Sequence, residues 1–120
     1  MPKRILIVDD EPDLVKVTSF RLKKAGYQVL ISVNGRQAWE LIQKDPPDLV
    51  LLDLLLPQIQ GDQVCRQVKA DPKLKHIPVI LFTASTADIL AKVKEAGADD
   101  YLTKPFDPEE LMGKVKKYAG

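Results

Sequence analysis

At 120 residues, 45% hydrophobic and 29% charged, the chain has the size and composition of one soluble globular domain with a single core. A formal net charge of +1 gives it no electrostatic reason to bind nucleic acid or an acidic membrane. The lone cysteine, Cys65, excludes an internal disulfide and fits a reducing cytoplasm, and no apolar run approaches the ~18 residues that cross a bilayer.

Met1-Pro2-Lys3-Arg4 leads into Ile5-Leu6-Ile7-Val8, too short for the core of a signal peptide but right for a buried strand. That strand ends in Asp9, Asp10 and Glu11. Pro12 and Asp13 suit the first turn of a helix expected to run to about Ala25 and stop at Gly26. Tyr27 to Ile31 reads as the second strand, Asn34-Gly35 as a turn, and Arg36 to about Lys44 as a helix with Ala38, Trp39, Leu41 and Ile42 on its apolar face. Pro46 and Pro47 end it.

The third strand, Leu49-Val50-Leu51-Leu52, is apolar without interruption and finishes at Asp53, as a strand buried on both faces should be. Gln58 to Gln60 is a loop, and Gly61 opens a helix carrying Val64, Cys65 and Val68 that ends at Asp71-Pro72. Val79 to Phe82 is the fourth strand, followed by Thr83 and Ala84, and Ala87 to Ala96 is a helix closed by Gly97. Asp99 to Thr103 is a short, more polar strand that belongs at an edge, Lys104-Pro105-Phe106 follows, and Pro108 to about Lys117 is the last helix. Five alternating strand and helix units with short connections predict an α/β domain: a parallel sheet with helices on both faces.

Parallel strands place their carboxyl ends on one edge, where open α/β sheets bind ligands. Collected there are Asp9, Asp10, Asp53, Thr83 and Lys104. Three neighbouring carboxylates need a cation to stay ionised, and a hard divalent ion such as Mg²⁺ suits an all-oxygen donor set. A hydroxyl and an ammonium opposite would hold the oxygens of an anion, and an aspartate can itself take up a phosphoryl group. The pattern therefore predicts Mg²⁺-assisted phosphoryl transfer onto an aspartate, with Asp53, at the end of the most buried strand, as the acceptor. Each residue alone has a plainer reading. Asp9 and Asp10 could cap a helix, Thr83 could be a strand-end hydroxyl, and Lys104 could be a solvated surface lysine.

The Asp9-Asp10 pair, Asp53 within Leu51-Leu52-Asp53-Leu54-Leu55-Leu56-Pro57, Thr83-Ala84 and Tyr101-Leu102-Thr103-Lys104-Pro105-Phe106 together resemble the receiver domain of two-component response regulators, of the chemotaxis-regulator kind. The resemblance spans the whole chain and implies a flavodoxin-like (βα)5 fold with strand order 2-1-3-4-5. It implies one receiver domain over residues 1–120, without an effector domain, acting as a cytoplasmic signalling switch that changes only its own phosphorylation state and is not an enzyme on other substrates. Asp53 would be phosphorylated by a histidine kinase or histidine phosphotransfer protein. Asp10, Asp53 and the Leu55 backbone carbonyl would bind Mg²⁺ directly, or Mn²⁺ in its place, with Asp9 acting largely through water. Thr83 would bond the phosphoryl group and Lys104 would neutralise it. Pro105 would sit in a cis peptide, and Tyr101 would turn inward with Thr83 as the switch.

The same resemblance implies docking of the phosphodonor near Leu14 and Val17. It implies contact with a target, or a second copy, through the fourth helix, fifth strand and fifth helix, about Ala87 to Tyr118. Two positions depart from the commonest pattern: Leu54-Leu55-Leu56-Pro57 stands where methionines are frequent, and Gln60 precedes Gly61 where an aspartate is usual.

Two other functions are weighed against these residues. A Mg²⁺-dependent phosphatase with an aspartyl-phosphate intermediate would carry an acid two residues after its nucleophile, where this chain has Leu55, and its paired acids late rather than at Asp9-Asp10. A nucleotide- or flavin-binding module would need a glycine-rich first turn in place of Asp9-Asp10-Glu11-Pro12. His76 is read as a surface residue, Cys65 as a small buried hydrophobe, Trp39 as packing, and Lys114, Lys116 and Lys117 as a solvated face.

Overall fold

The computed structural model describes residues 3–54, 61–83, 89–104 and 107–120, with Thr83 described in its main chain only. The elements are β1 (Arg4–Val8), α1 (Pro12–Lys24), β2 (Gln28–Ser32), α2 (Gly35–Lys44), β3 (Leu49–Asp53), α3 (Gly61–Ala70), β4 (Val79–Thr83), α4 (Ile89–Ala96), β5 (Asp100–Thr103) and α5 (Pro108–Ala119). The strands form one sheet in the order β2-β1-β3-β4-β5, every neighbouring pair parallel.

The uninterrupted apolar runs follow from burial on both faces. Along a strand, successive side chains point to opposite sides. Leu6, Val8, Val50, Leu52, Val79 and Leu81 face the layer of α2, α3 and α4. Ile5, Ile7, Leu49, Leu51, Ile80 and Phe82 face α1 and α5. Every residue of β3 is buried, and each such Leu contributes about 1.5–3 kcal/mol relative to an exposed one. The more polar β5 lies at one edge, as its composition predicts, and β2 at the other.

Element boundaries follow local chemistry. α1 opens with Pro12 and Asp13, ends with Arg21, Lys23 and Lys24 in its last turn, and is stopped by Gly26 at φ 99°. Asn34-Gly35 is the start of α2 rather than a free turn, because the Asn34 side chain accepts a bond from the Gln37 amide at 2.8 Å and so caps the helix. α5 runs to Ala119, beyond the expected Lys117, because Val115 and Ala119 continue its buried stripe. Asp99 precedes β5 instead of opening it, since its carboxylate turns to accept the Val79 amide at 2.8 Å. Among the described residues, no helix is long and apolar enough to cross a membrane.

Candidate functional site at the carboxyl edge of the sheet

The ends of β1, β3 and β5 bring the predicted charges together. Asp9 follows β1, and its amide donates to the Ser32 carbonyl at 3.1 Å, which extends the β1–β2 ladder by one residue. Asp9 is fully buried (0% exposed), Asp53 ends β3 and is buried, and Asp10 is exposed. Carboxylate oxygens of Asp9, Asp10 and Asp53 lie within 4.8 Å of one another, close enough to share a cation. All three donors are hard anionic oxygens, so the set fits Mg²⁺ or Mn²⁺ far better than a soft metal.

Lys104, just past β5, reaches into this cluster with only 10% of its side chain exposed. Its ammonium donates to Glu11 at 2.7 Å, Asp9 at 2.9 Å and Asp53 at 3.0 Å, and stands 5.1 Å from the centre of the Phe82 ring. Burial pulls the Lys104 pKa down, but the bonds to Glu11, Asp9 and Asp53 outweigh it and hold the pKa above the ordinary lysine value. The lysine is locked in its charged form. The Glu11 amide donates to the other Asp9 oxygen at 2.9 Å, which orients that carboxylate from below.

Gly61 shapes the floor. The first residue of α3 packs so closely on the end of β3 that a Cβ there would run into the Asp53 carbonyl oxygen. Its amide donates to the Leu54 carbonyl at 3.1 Å, while the Leu54 amide donates to Phe82 at 3.1 Å. Glycine is the one residue that permits this approach.

Away from the carboxylates, Tyr101 of β5 is half-buried against the core facing α2, α3 and α4. Lys114 of α5 binds it: the ammonium donates to the Tyr101 carbonyl and to Asp100, both at 2.8 Å, and lies 5.4 Å from the centre of the Tyr101 ring. Lys116 and Lys117 are exposed as predicted, but Lys114 is not a solvated lysine. Burial opposes ionisation of Asp100, yet the Lys114 bond, the Tyr101 amide and the Lys114 charge hold its pKa below the ordinary carboxylate range. The Tyr118 hydroxyl donates to the Asp99 carbonyl at 3.1 Å.

Asp9, Asp10, Asp53 and Lys104 thus converge. Thr83 closes β4 with its main chain in register with Thr103, while its hydroxyl, the Leu55 carbonyl and Pro105 lie outside the described residues. Sequence reasoning missed three things: the Glu11–Lys104 bond, the Lys114–Asp100–Tyr101 set, and the buried Asp62 of α3, paired with Arg66 at 2.7 Å. Only Glu11 left a signal, as a glutamate at a helix start where Ser, Thr, Asp or Asn is favoured. Leu14, expected near a docking surface, packs against the core, and the exposed apolar side chains of α1 are Val17 and Phe20. His76 is exposed, Trp39 packs on the core, and Cys65 is fully buried. Burial pushes the Cys65 thiol up to about 12, so it is no nucleophile.

A parallel sheet ordered 2-1-3-4-5 with an acidic cluster and a lysine at its carboxyl edge defines a receiver-type signalling fold. The response regulator receiver domain family matches residues 5–116, and the chain belongs to it. Among similar solved structures is a putative response regulator of Chloroflexus aurantiacus, 40% identical, covering 99% of this chain and 98% of that one at a TM-score of 0.92. The receiver domain of a sensor histidine kinase of Pseudomonas aeruginosa, with a magnesium ion coordinated in its active site cleft, is 30% identical over 100% and 99% of the two chains, at 0.90. The chemotaxis response regulator CheY4 of Vibrio cholerae is 28% identical over 98% and 99%, also at 0.90.

Proposed function

We propose that this receiver domain is a phosphorylation-activated switch that accepts a phosphoryl group on Asp53 from a phosphohistidine of a histidine kinase or phosphotransfer protein. The observation that carries the reading is the convergence of Asp9, Asp10 and Asp53 within 4.8 Å, with Lys104 donating to Asp53 at 3.0 Å. An Asp53 carboxylate oxygen attacks phosphorus as the P–N bond to the donor imidazole breaks. The electron pair stays on that nitrogen, and the imidazole leaves neutral because its second nitrogen carries a proton.

Asp10 and Asp53, with Asp9 behind them, would hold Mg²⁺, and the magnesium in the cleft of the Pseudomonas relative supports that choice. When bound, the ion supplies positive charge that draws electron density from the phosphoryl oxygens. Lys104, kept protonated by its surroundings, neutralises the group once it is in place, and the Thr83 hydroxyl is assigned to one of its oxygens. Output passes through Tyr101 and the face made by α4, β5 and α5 to a target protein or a second copy. The switch is a shift between two populations, biased by phosphorylation. The phosphodonor docks on α1, where Val17 is 54% and Phe20 66% exposed beside Lys16, Arg21 and Lys24. The domain acts in the cytoplasm and transforms only itself.

The test is intact mass after incubation with acetyl phosphate, with and without Mg²⁺, for this protein and for Asp53→Asn. A single phosphoryl adduct that requires Mg²⁺ and vanishes in the variant is expected. An adduct that persists in Asp53→Asn refutes the acceptor, and absence of both an adduct and beryllofluoride binding refutes the switch.

A further inference from the structure

Glu11 is in an unusual position for its residue type. It is the residue before α1, with extended backbone (φ −90°, ψ 106°), yet its side chain makes no bond to the helix amides. Short Asp, Asn, Ser or Thr side chains are favoured there because they reach those amides. Glu11 instead extends to Lys104, 93 residues away in the chain, and accepts the shortest of the three bonds that ammonium makes.

An ammonium has three N–H donors, and Lys104 commits all three, to Glu11, Asp9 and Asp53. Pairing with a phosphoryl oxygen therefore requires one acceptor to let go. Asp9 is fully buried, and its other oxygen is already tied to the Glu11 amide, so an unpaired Asp9 would be costly. The bond to Asp53 can pass to the group that Asp53 carries, so any closer approach of Lys104 to that group draws it away from Asp9 or from Glu11. The Glu11 side chain is 60% exposed, so its carboxylate can be released to water with little loss.

We propose that Glu11 is a positioning residue that holds Lys104 in the unphosphorylated protein and competes with the phosphoryl group for it. The proposal rests on Asp53 being the acceptor and adds what the lysine must give up when that group arrives. Glu11 thereby sets part of the cost of switching on.

The experiment is titration with beryllofluoride, a phosphoryl mimic, in the presence of Mg²⁺. It compares this protein with Glu11→Gln and Glu11→Asp, each with Lys104 intact and with Lys104→Met. Asp keeps the charge but is one methylene too short to reach. Both variants are expected to bind about fivefold tighter, the scale of one partly exposed ion pair, and to make no difference once Lys104 is Met. If Glu11→Asp binds like the parent while Glu11→Gln binds tighter, the effect is the field of a negative charge and the competition is refuted. Equal affinity in all three proteins refutes it too, with the acceptor assignment left standing. A parent that binds no beryllofluoride refutes this proposal, while the acceptor assignment is decided by the phosphoryl adduct on Asp53. If Lys104→Met binds too weakly to titrate, the comparison of Glu11→Asp with the parent decides alone.

Discussion

At the amino end of the sheet Arg4 and Lys69 each pair with one carboxylate, whereas at the carboxyl end three carboxylates share one described ammonium. Arg4 pairs with Asp45 at 2.6 Å, and its amide donates to Asp48 at 2.7 Å. Lys69 pairs with Asp99 at 2.8 Å and caps the Ile77 carbonyl at 2.7 Å, tying α3 to the start of β4 and β5. At the other end Asp9, Glu11 and Asp53 all accept from Lys104, with Asp10 beside Asp9 and Asp53. Balanced charges that also satisfy backbone groups are scaffold. An excess of carboxylates held close together is instead the all-oxygen donor set that a hard divalent cation would take.

The largest expected effect is steric and tests whether the carboxyl edge depends on close backbone approach. Gly61→Ala must push α3 off β3 and should cost about 1–3 kcal/mol in denaturant unfolding, the range for overpacking. Unchanged stability would show that the approach is not required. Next, Lys104→Met should lower metal-free stability by about 1–2 kcal/mol, because it leaves several carboxylates facing one another, and Mg²⁺ should restore most of that loss. Lys69→Met at the opposite edge should cost about 1 kcal/mol that Mg²⁺ does not restore. The contrast between the two edges fails if the metal rescues both variants or neither.

A smaller effect lies in acid. The Asp100 pKa is lower in the fold than in the unfolded chain, so the unfolded state binds the proton first. Its contribution is present in full above the ordinary value near 3.8 and is lost as pH falls through the lowered one. Asp100→Asn should therefore flatten the stability profile in that acid window and leave neutral pH slopes unchanged. Acid unfolding curves of equal slope would show that Lys114 does not hold Asp100 in its charged form.

The fold was legible because burial on both faces leaves a blunt mark. Ile5 to Val8, Leu49 to Leu52 and Val79 to Phe82 admit no polar residue, and each run ends at the carboxyl edge of the sheet. The acid cluster was legible for the same reason, since Asp9 and Asp53 sit at the end of such runs. Lys104 was legible as part of a motif. What was not legible depends on distances between remote parts of the chain. Nothing in the order of residues says that Glu11 can reach Lys104, that Gly61 abuts the Asp53 carbonyl, or that Lys114 lies along Tyr101. Asn34 misled because the same residue serves turns and helix starts, and only the partner of its side chain separates them.

Cys65 lies fully buried on α3 with its sulfur 3.4 Å from the Ala96 carbonyl of α4. A thiol in that setting reacts only when the two helices part, so its labelling rate is a clock for how often this flank of the domain opens. One sulfur, already in place, lets the breathing of the α3–α4 pair be followed with no probe added to the chain. Slow labelling that tracks global unfolding would mean that this flank moves only with the whole domain. Faster labelling would reveal a separate local opening beside the helix whose first residue supports Asp53.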